Sequence, residues 1–343
     1  MNNNPPSITL AHGNGGKLTH ELISKVFLDA FDSPELRMKA DSAVLPPLGP
    51  QDRLVFTTDS HVVTPLFFPG GDIGKLSVAG TLNDLAVMGA RPLYLSVGFI
   101  IEEGFLVSDL KRVVSSMALA AKEGGVRIVT GDTKVVEKGA ADGLFINTSG
   151  IGVLLEGSPN LRTKAPALED TDAVILSGSL GDHGIAVYSK RKGIDFKTDL
   201  QSDCAQIFPL VQAALAVCPE IRIMRDPTRG GLATTLNEFV TGQAMGIELF
   251  ENKIPLKKEV KGACELLGFD PLYLANEGKL VLVVPKAYAN AVCEALQKCA
   301  IGREATVVGL VTKEVPGKVI LRTSLGSRRI LDMLTGEMLP RIC

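Results

Sequence analysis

Val126-Arg127-Ile128-Val129-Thr130-Gly131-Asp132-Thr133-Lys134 decides the fold class. Residues 126–130 are rich in β-branched and apolar side chains and read as a buried strand. Gly124-Gly125 stands before them and stops an amphipathic helical pattern over 107–122. After the strand comes a turn that carries one carboxylate, Asp132, and one ammonium, Lys134. A helix delivered onto a strand that ends in charged residues is a unit of an α/β or α+β protein.

The same alternation extends in both directions. Towards the N-terminus, 93–101 is strand-like, and 73–88 reads as a small-residue helix with Asn83-Asp84 inside it. Residues 54–58 read as a buried strand running straight into Asp59. A glycine-rich turn, His12-Gly13-Asn14-Gly15-Gly16-Lys17, leads into a helical pattern over 18–31. Towards the C-terminus, 144–155 alternates like another strand, and a proline-bearing junction spans 156–170. A second block follows, with strands at 173–176, 247–250, 280–284, 306–311 and 319–322, and helices at 204–216, 231–241 and 287–298. Three segments are expected: an N-terminal domain over 1–157, a C-terminal α/β domain over 168–323, and a flexible tail over 324–343 ending in Cys343.

Composition narrows the function class. The chain has 343 residues, 45% hydrophobic and 22% charged, with a formal net charge of -2 and both signs interspersed. Such a chain can build a substantial core. It shows no basic run interleaved with aromatics that would suit nucleic acid. No apolar run is long enough to span a bilayer, and MNNNPPSITL lacks the basic and apolar regions of a secretory signal. The six cysteines, Cys204, Cys218, Cys264, Cys293, Cys299 and Cys343, form no C-x-x-C pair. Reduced thiols in a cytoplasmic protein are the simplest expectation.

The acidic residues suggest the chemistry. Asp59, Asp84 and Asp132 come from separate strands and a helix, and carboxylates at strand ends can converge on one sheet edge. Magnesium takes such hard oxygen ligands and completes its shell with phosphate oxygens. Lys134 could neutralise a phosphate. Two glycine-rich turns that open helices would bind anions through free backbone N–H groups. One is 12–17, although it lacks the G-x-x-x-x-G-K-[ST] spacing. The other is Arg225-Asp226-Pro227-Thr228-Arg229-Gly230-Gly231. Taken singly, each of these features is an ordinary turn or cap. His183, in Gly181-Asp182-His183-Gly184, is a candidate acid/base group, or else a structural histidine. Glu277, in Ala275-Asn276-Glu277-Gly278-Lys279, is a candidate base, or else a residue capping a strand.

Together these segments resemble the ATP-dependent superfamily that includes aminoimidazole ribonucleotide synthetase, selenophosphate synthetase and thiamine monophosphate kinase. Within it the chain is most similar to the hydrogenase-maturation carbamoyl dehydratases. The resemblance runs through 12–16, Thr58-Asp59-Ser60, 65–71, Asn83-Asp84, 130–136, 181–184, 226–231 and 275–279 to the final Pro340-Arg341-Ile342-Cys343. It implies an aminoimidazole-ribonucleotide-synthetase-like two-domain architecture whose N-terminal sheet forms a barrel across a homodimer. It implies ATP and Mg2+, with a nucleotide site at Gly15, Gly16, Asp59, Asp84, Asp132, Thr133, Lys134, Asp226, Thr228, Arg229 and Gly230. Asp59, Asp84, Asp132 and Asp226 would be the metal ligands.

The resemblance also gives the terminal thiol a purpose. The carbamoyltransferase HypF would load a carbamoyl group onto Cys343. The tail would fold inward, and ATP would drive loss of water to leave a thiocyanate. The cyanide would then pass to an iron centre on a HypC–HypD complex. Glu277 is the expected base, with Lys134 and His183 behind it. Two other readings stay open at this level. One is a small-molecule kinase or synthetase of the same superfamily, against which stand the terminal Cys and the lack of a reactive Cys in 12–17. The other is a non-enzymatic nucleotide-binding scaffold, which ATP turnover would distinguish.

Overall fold

The computed structural model describes residues 6–13, 16–38, 42–43, 45–49, 52–155, 158, 168–194, 196, 198–336, 339 and 342–343. Two β-sheets carry the architecture. The first has four strands: β1 (Leu54–His61), β2 (Ala90–Glu102), β3 (Arg127–Val136) and β4 (Leu144–Leu154), in the order β1-β4-β2-β3. β4 pairs antiparallel with β1 and β2, and β2 pairs parallel with β3. One face is covered by α1 (Ile73–Val87) and α2 (Val107–Glu123). Leu76, Leu82, Val113 and Met117 on these helices pack against Leu95, Val97, Phe99 and Ile146 of the sheet.

The second sheet has seven strands: β5 (Ala173–Leu176), β6 (Ile223–Arg225), β7 (Gly246–Phe250), β8 (Val281–Val284), β9 (Thr306–Thr312), β10 (Val319–Arg322) and β11 (Arg328–Leu331). Their order is β11-β10-β7-β9-β5-β8-β6. The central strands β5 and β8 are buried at every position. Both faces must therefore be covered, and successive side chains divide between them. Val174, Leu176, Val281 and Val283 meet Leu232, Leu236 and Phe239 of α5 (Gly231–Val240). Ala173, Ile175, Leu282 and Val284 meet α4 (Phe208–Val217) and α7 (Ala289–Gln297). Two further helices are α3 (Asp182–Lys192) and α6 (Lys258–Leu267).

α1 joins the two halves. The Asp72 side chain caps it by accepting from the N–H groups of Gly74 and Lys75 at 2.7 and 3.1 Å. Gly80 lets the helix lie against β1, since a Cβ there would stand 3.1 Å from the His61 ring and 3.4 Å from Asp59 Oδ2. On its other side, Asn83 donates to the carbonyls of Ala205 and Glu277 at 3.0 and 3.2 Å and accepts from the Ile207 N–H at 2.9 Å.

Several sequence expectations are corrected. Asp59 and Asp132 do not close strands: β1 continues to His61 and β3 to Val136. Nor is 54–58 a buried strand. β1 is an edge strand with alternating burial, and Leu54 and Phe56 are 61% and 68% exposed. Edge strands tolerate polar residues, so an Asp does not mark a boundary there. Residues from 326 onward are not all tail, because β11 pairs antiparallel with β10. The expected helix over 204–216 starts only at Phe208. The first sheet is open within the chain, with β1 and β3 at its edges. The 156–170 junction lies largely outside the described residues, as do Gly15, Pro340 and Arg341.

The end of the chain is folded in. Ile342 is 3% exposed and belongs to the first hydrophobic core, with Leu339 and Cys343 packed against it. The Val62 N–H donates to the Cys343 carbonyl at 3.3 Å.

Candidate active site

Three expected carboxylates and Glu277 form one electrostatic neighbourhood where the two halves meet. Asp84, on the last turn of α1, accepts from Thr57 Oγ1 of β1 at 3.0 Å. Burial and the nearby Asp59 raise its pKa. Burial, then Asp84, push Asp226 up to about 7, with Asp59 adding to the effect. Burial, followed by repulsion from Asp203, Asp226, Asp59 and Asp84, raises Glu277 well above the ordinary carboxylate range. Glu277 Oε1 is buried without a hydrogen-bond partner among the described residues.

Asp132 stands apart from this group. In the register of the first sheet, Asp132 aligns with Gly98, Asn147 and Ser60, whereas Asp59 aligns with Thr148. Alternate residues point to opposite faces. Asp59 therefore turns towards α1, where its Oδ2 lies 3.4 Å from Nε2 of the buried His61, and Asp132 turns to the uncovered face. Three strand spacings of roughly 4.8 Å put the two about 14 Å apart. Lys134 pairs with Asp132 at 2.9 Å and holds its pKa down. The Thr133 N–H donates to Asp132 Oδ1 at 2.8 Å. The expectation that all the carboxylates converge on one sheet edge therefore fails for Asp132.

The loop that opens α5 supplies cations and backbone. Gly230 caps the helix with φ of 81°, a left-handed conformation that glycine adopts without strain. The Thr228 N–H donates to the Asp226 carbonyl at 3.0 Å, and the Gly231 N–H to the Thr228 carbonyl at 2.9 Å. Arg229 donates through Nη2 to Cys343 Sγ at 3.4 Å. The other glycine turn lies apart, against β3, where a Cβ on Gly13 would stand 2.8 Å from Val135, and its Gly16 caps a short helix, Lys17–Leu22.

Cys343 thus sits between a guanidinium and a carboxyl group. Burial, then Glu277, raise the thiol to about 11, and Arg229 opposes the rise. His183 is fully buried at the start of α3 rather than exposed in a turn. Its Nε2 lies 2.8 Å from the Ile342 carbonyl, and its Nδ1 lies 2.8 Å from Ser202 Oγ.

Sequence reasoning missed Asp203 and Ser202. Asp203 Oδ1 accepts from the Glu277 N–H at 3.1 Å, and its Oδ2 pairs with Lys279 at 3.0 Å. Burial alone would raise Asp203, but Lys279, helped by the Glu277 N–H, outweighs it and holds the carboxyl low. Nothing in 200–204 marks a periodic element, so no pattern pointed to it. A cleft of about 1060 Å3 opens beside this pair, lined also by Ser179, Asp182 and Lys257.

The residues fit a divalent cation. Asp59, Asp84 and Asp226 offer hard oxygens whose mutual repulsion a cation would relieve. Among the described residues, no three His, Cys, Asp or Glu side chains already stand in a metal-binding group.

Comparison with known proteins places the chain. Residues 39–154 match the N-terminal domain of AIR synthase related proteins, and residues 169–322 match their C-terminal domain. The fold is the mixed α/β, two-domain fold of that class. Carbamoyl dehydratase HypE of Cupriavidus necator is 51% identical over 98% of this chain and 95% of its own length. Carbamoyl dehydratase HypE of Escherichia coli K12 is 46% identical over 100% of both. A crystal structure of HypE in complex with ATP has a TM-score of 0.91 at 46% identity, covering 98% of this chain and 99% of that one. The chain belongs to the HypE family. A thiamine monophosphate kinase from Aquifex aeolicus, at 16% identity and a TM-score of 0.56, shares the fold alone. No described helix is long and apolar enough to cross a membrane.

Proposed function

We propose that this protein is an ATP-dependent carbamoyl dehydratase whose substrate is its own terminal cysteine. The observation that carries this reading is the position of Cys343. Its thiol meets Arg229 at 3.4 Å and lies in the field of Glu277, beside the Asp59, Asp84 and Asp226 group. A terminal thiol buried among catalytic-type groups suits a tethered substrate, and tethering supplies a high effective concentration.

The chemistry balances as a thiocarbamate plus ATP giving a thiocyanate, ADP and phosphate. Phosphoryl transfer to the amide oxygen turns a poor leaving group into a good one. Glu277, held protonated in the resting site, would have to ionise before it accepts a proton from the nitrogen as phosphate departs, and burial makes that ionised form a strong base. Asp59, Asp84 and Asp226 would hold Mg2+, which neutralises phosphate charge when bound. Arg229 would steady the sulfur and the carbamoyl oxygen. Thr228 and Gly230 would supply hydroxyl and backbone donors to phosphates. Lys134 and Asp132, on the opposite face, stand outside this arrangement in a single chain.

Partners follow from the relatives. A solved HypE–HypF complex resembles this chain with a TM-score of 0.78 at 47% identity over 93% of it, which supports HypF as the donor of the carbamoyl group. A HypC–HypD complex would receive the cyanide for a [NiFe]-hydrogenase. The uncovered face of the first sheet supports a homodimer. It presents Leu54, Phe56 and Ile100, which are 61%, 68% and 44% exposed, beside two unpaired edges. Two such sheets meeting would close a barrel.

The test is the mass of the C-terminal peptide. The protein is loaded by HypF and carbamoyl phosphate, separated from HypF, and then incubated with or without ATP and Mg2+. A carbamoyl mass on Cys343 that loses one water only with ATP supports the reading. An unmodified Cys343 alongside continued ATP consumption refutes it and favours a small-molecule kinase.

A further inference from the structure

The tail is held at three points. Leu339 packs between Gly184 and Leu274, Ile342 is buried in the first core, and the Ile342 carbonyl meets His183 Nε2 at 2.8 Å. The hydrogen-bond chain through His183 fixes its proton. The Cys204 N–H donates to Ser202 Oγ at 3.0 Å, so that oxygen already accepts. Its own hydroxyl is free to donate to His183 Nδ1 at 2.8 Å. The Ile342 carbonyl can only accept, so the ring's single proton sits on Nε2, and Nδ1 is left as the acceptor for the Ser202 hydroxyl. Ser202 is itself anchored, since its N–H donates to the Pro69 carbonyl at 2.8 Å. The edge of the imidazole is braced by Phe68, with ring centroids 5.5 Å apart. Every hydrogen-bonding position of the imidazole is thus occupied, and it is sealed from water.

We infer that His183, with its tautomer supported by Ser202, is the docking residue for the C-terminal tail and not an acid/base group of the reaction. Its role is to position: it fixes the Ile342 carbonyl, and the next residue then carries its thiol to Arg229. Burying Ile342 favours docking, whereas ordering the tail residues opposes it through lost backbone entropy. With these opposed, one hydrogen bond of about 1 kcal/mol shifts the docked population roughly fivefold. Its effect on turnover rests on the dehydratase reading, but its effect on thiol access does not.

The experiment measures alkylation of the full-length protein by iodoacetamide, read at each cysteine by peptide mass. Cys293 and Cys299, both partly exposed, serve as internal controls. His183→Ala should speed alkylation of Cys343 by about fivefold or more, with Cys293 and Cys299 unchanged. His183→Gln, whose amide N–H2 can take the place of Nε2–H, should restore a near-native rate. Ser202→Ala, which frees the tautomer while keeping the ring, should fall between. An unchanged Cys343 rate in His183→Ala overturns the proposal. So does a rise shared equally by all three cysteines in both His183→Ala and Ser202→Ala, which would make the ring a packing element. If wild-type Cys343 never loses water from its carbamoyl group, the dehydratase reading fails while the alkylation result still decides tail docking.

Discussion

The Glu277 backbone N–H donates to Asp203 Oδ1 at 3.1 Å, so the candidate base is held by a second carboxylate that is ionised. Two buried carboxyl groups this close cannot both ionise cheaply, and the environment separates them. Lys279 and the Glu277 N–H hold Asp203 low, while burial and Asp203 drive Glu277 high. Glu277→Gln should therefore change stability by less than about 1 kcal/mol, because the amide resembles the protonated acid already favoured there. Dehydration of the carbamoylated protein should fall by roughly 10^2–10^4, the usual contribution of a positioned base. Nucleotide affinity should be unchanged by titration calorimetry. Near-normal turnover in this variant would remove Glu277 from the role of base.

Asp226 gives a dependence on pH with a definite sign. Its pKa is raised from the ordinary value to about 7, chiefly by burial and then by Asp84. Its contribution to stability is present in full below the unfolded pKa of about 4. It is lost as pH rises through about 7, because ionisation is easier in the unfolded chain. Asp226→Asn should thus raise the metal-free Tm by a few degrees at pH 8 and leave it unchanged near pH 4. The same variant should lose Mg2+-dependent nucleotide binding. A Tm difference that does not vary with pH would show that Asp226 ionises normally in the folded protein.

The placement of Asp132 separates two models of the metal site. Asp84 shares its surroundings with Asp59 and Asp226, but Asp132 faces the other side of the sheet, paired with Lys134. Asp84→Asn should weaken Mg2+ binding at least tenfold. Asp132→Asn should leave it within about twofold in a monomeric background, since exposed pairs are worth little. Equal losses in both would mean that a second copy brings Asp132 to the ion.

The fold class was legible because its signals are periodic. The helical pattern at 107–122 corresponds to α2, Val107–Glu123, and the apolar run at 280–284 to β8, Val281–Val284. Strand ends were not legible where strands lie at an edge. There Asp59 and Asp132 sit among Thr, Ser, Gly and Lys without disturbing a core, so polarity marks no boundary. The two glycines of Gly181-Asp182-His183-Gly184 conceal a helix start. Gly181 instead caps α3 with φ of 81°, and the next three residues are its buried first turn. β11 was hidden by Arg328 and Arg329, whose exposed side chains suit a sheet edge as well as a tail. In the site, Glu277, Asp226 and Arg229 were legible because each sits in a motif. Asp203 was not, since it lies in an irregular segment and its cation, Lys279, is remote in sequence.

Lys279 supports the strongest prediction on stability. Its side chain is 9% exposed, and it pairs at 3.0 Å with Asp203, whose side chain is 3% exposed. Removing one partner of such a pair strands the other charge in a poorly solvated place, which typically costs 3–5 kcal/mol. Lys279→Met keeps the length and apolar stem of the side chain and deletes only the charge. Asp203 must then either take up a proton or stay ionised without its cation. The first outcome brings its pKa up beside Glu277 and breaks the division of labour between them. The second costs folding free energy directly. A large fall in urea midpoint is expected, and restoring electroneutrality with Lys279→Met/Asp203→Asn should recover much of it. If the single variant unfolds at the wild-type midpoint, the pair is weaker than its burial implies, and the low pKa of Asp203 must rest on the Glu277 N–H instead.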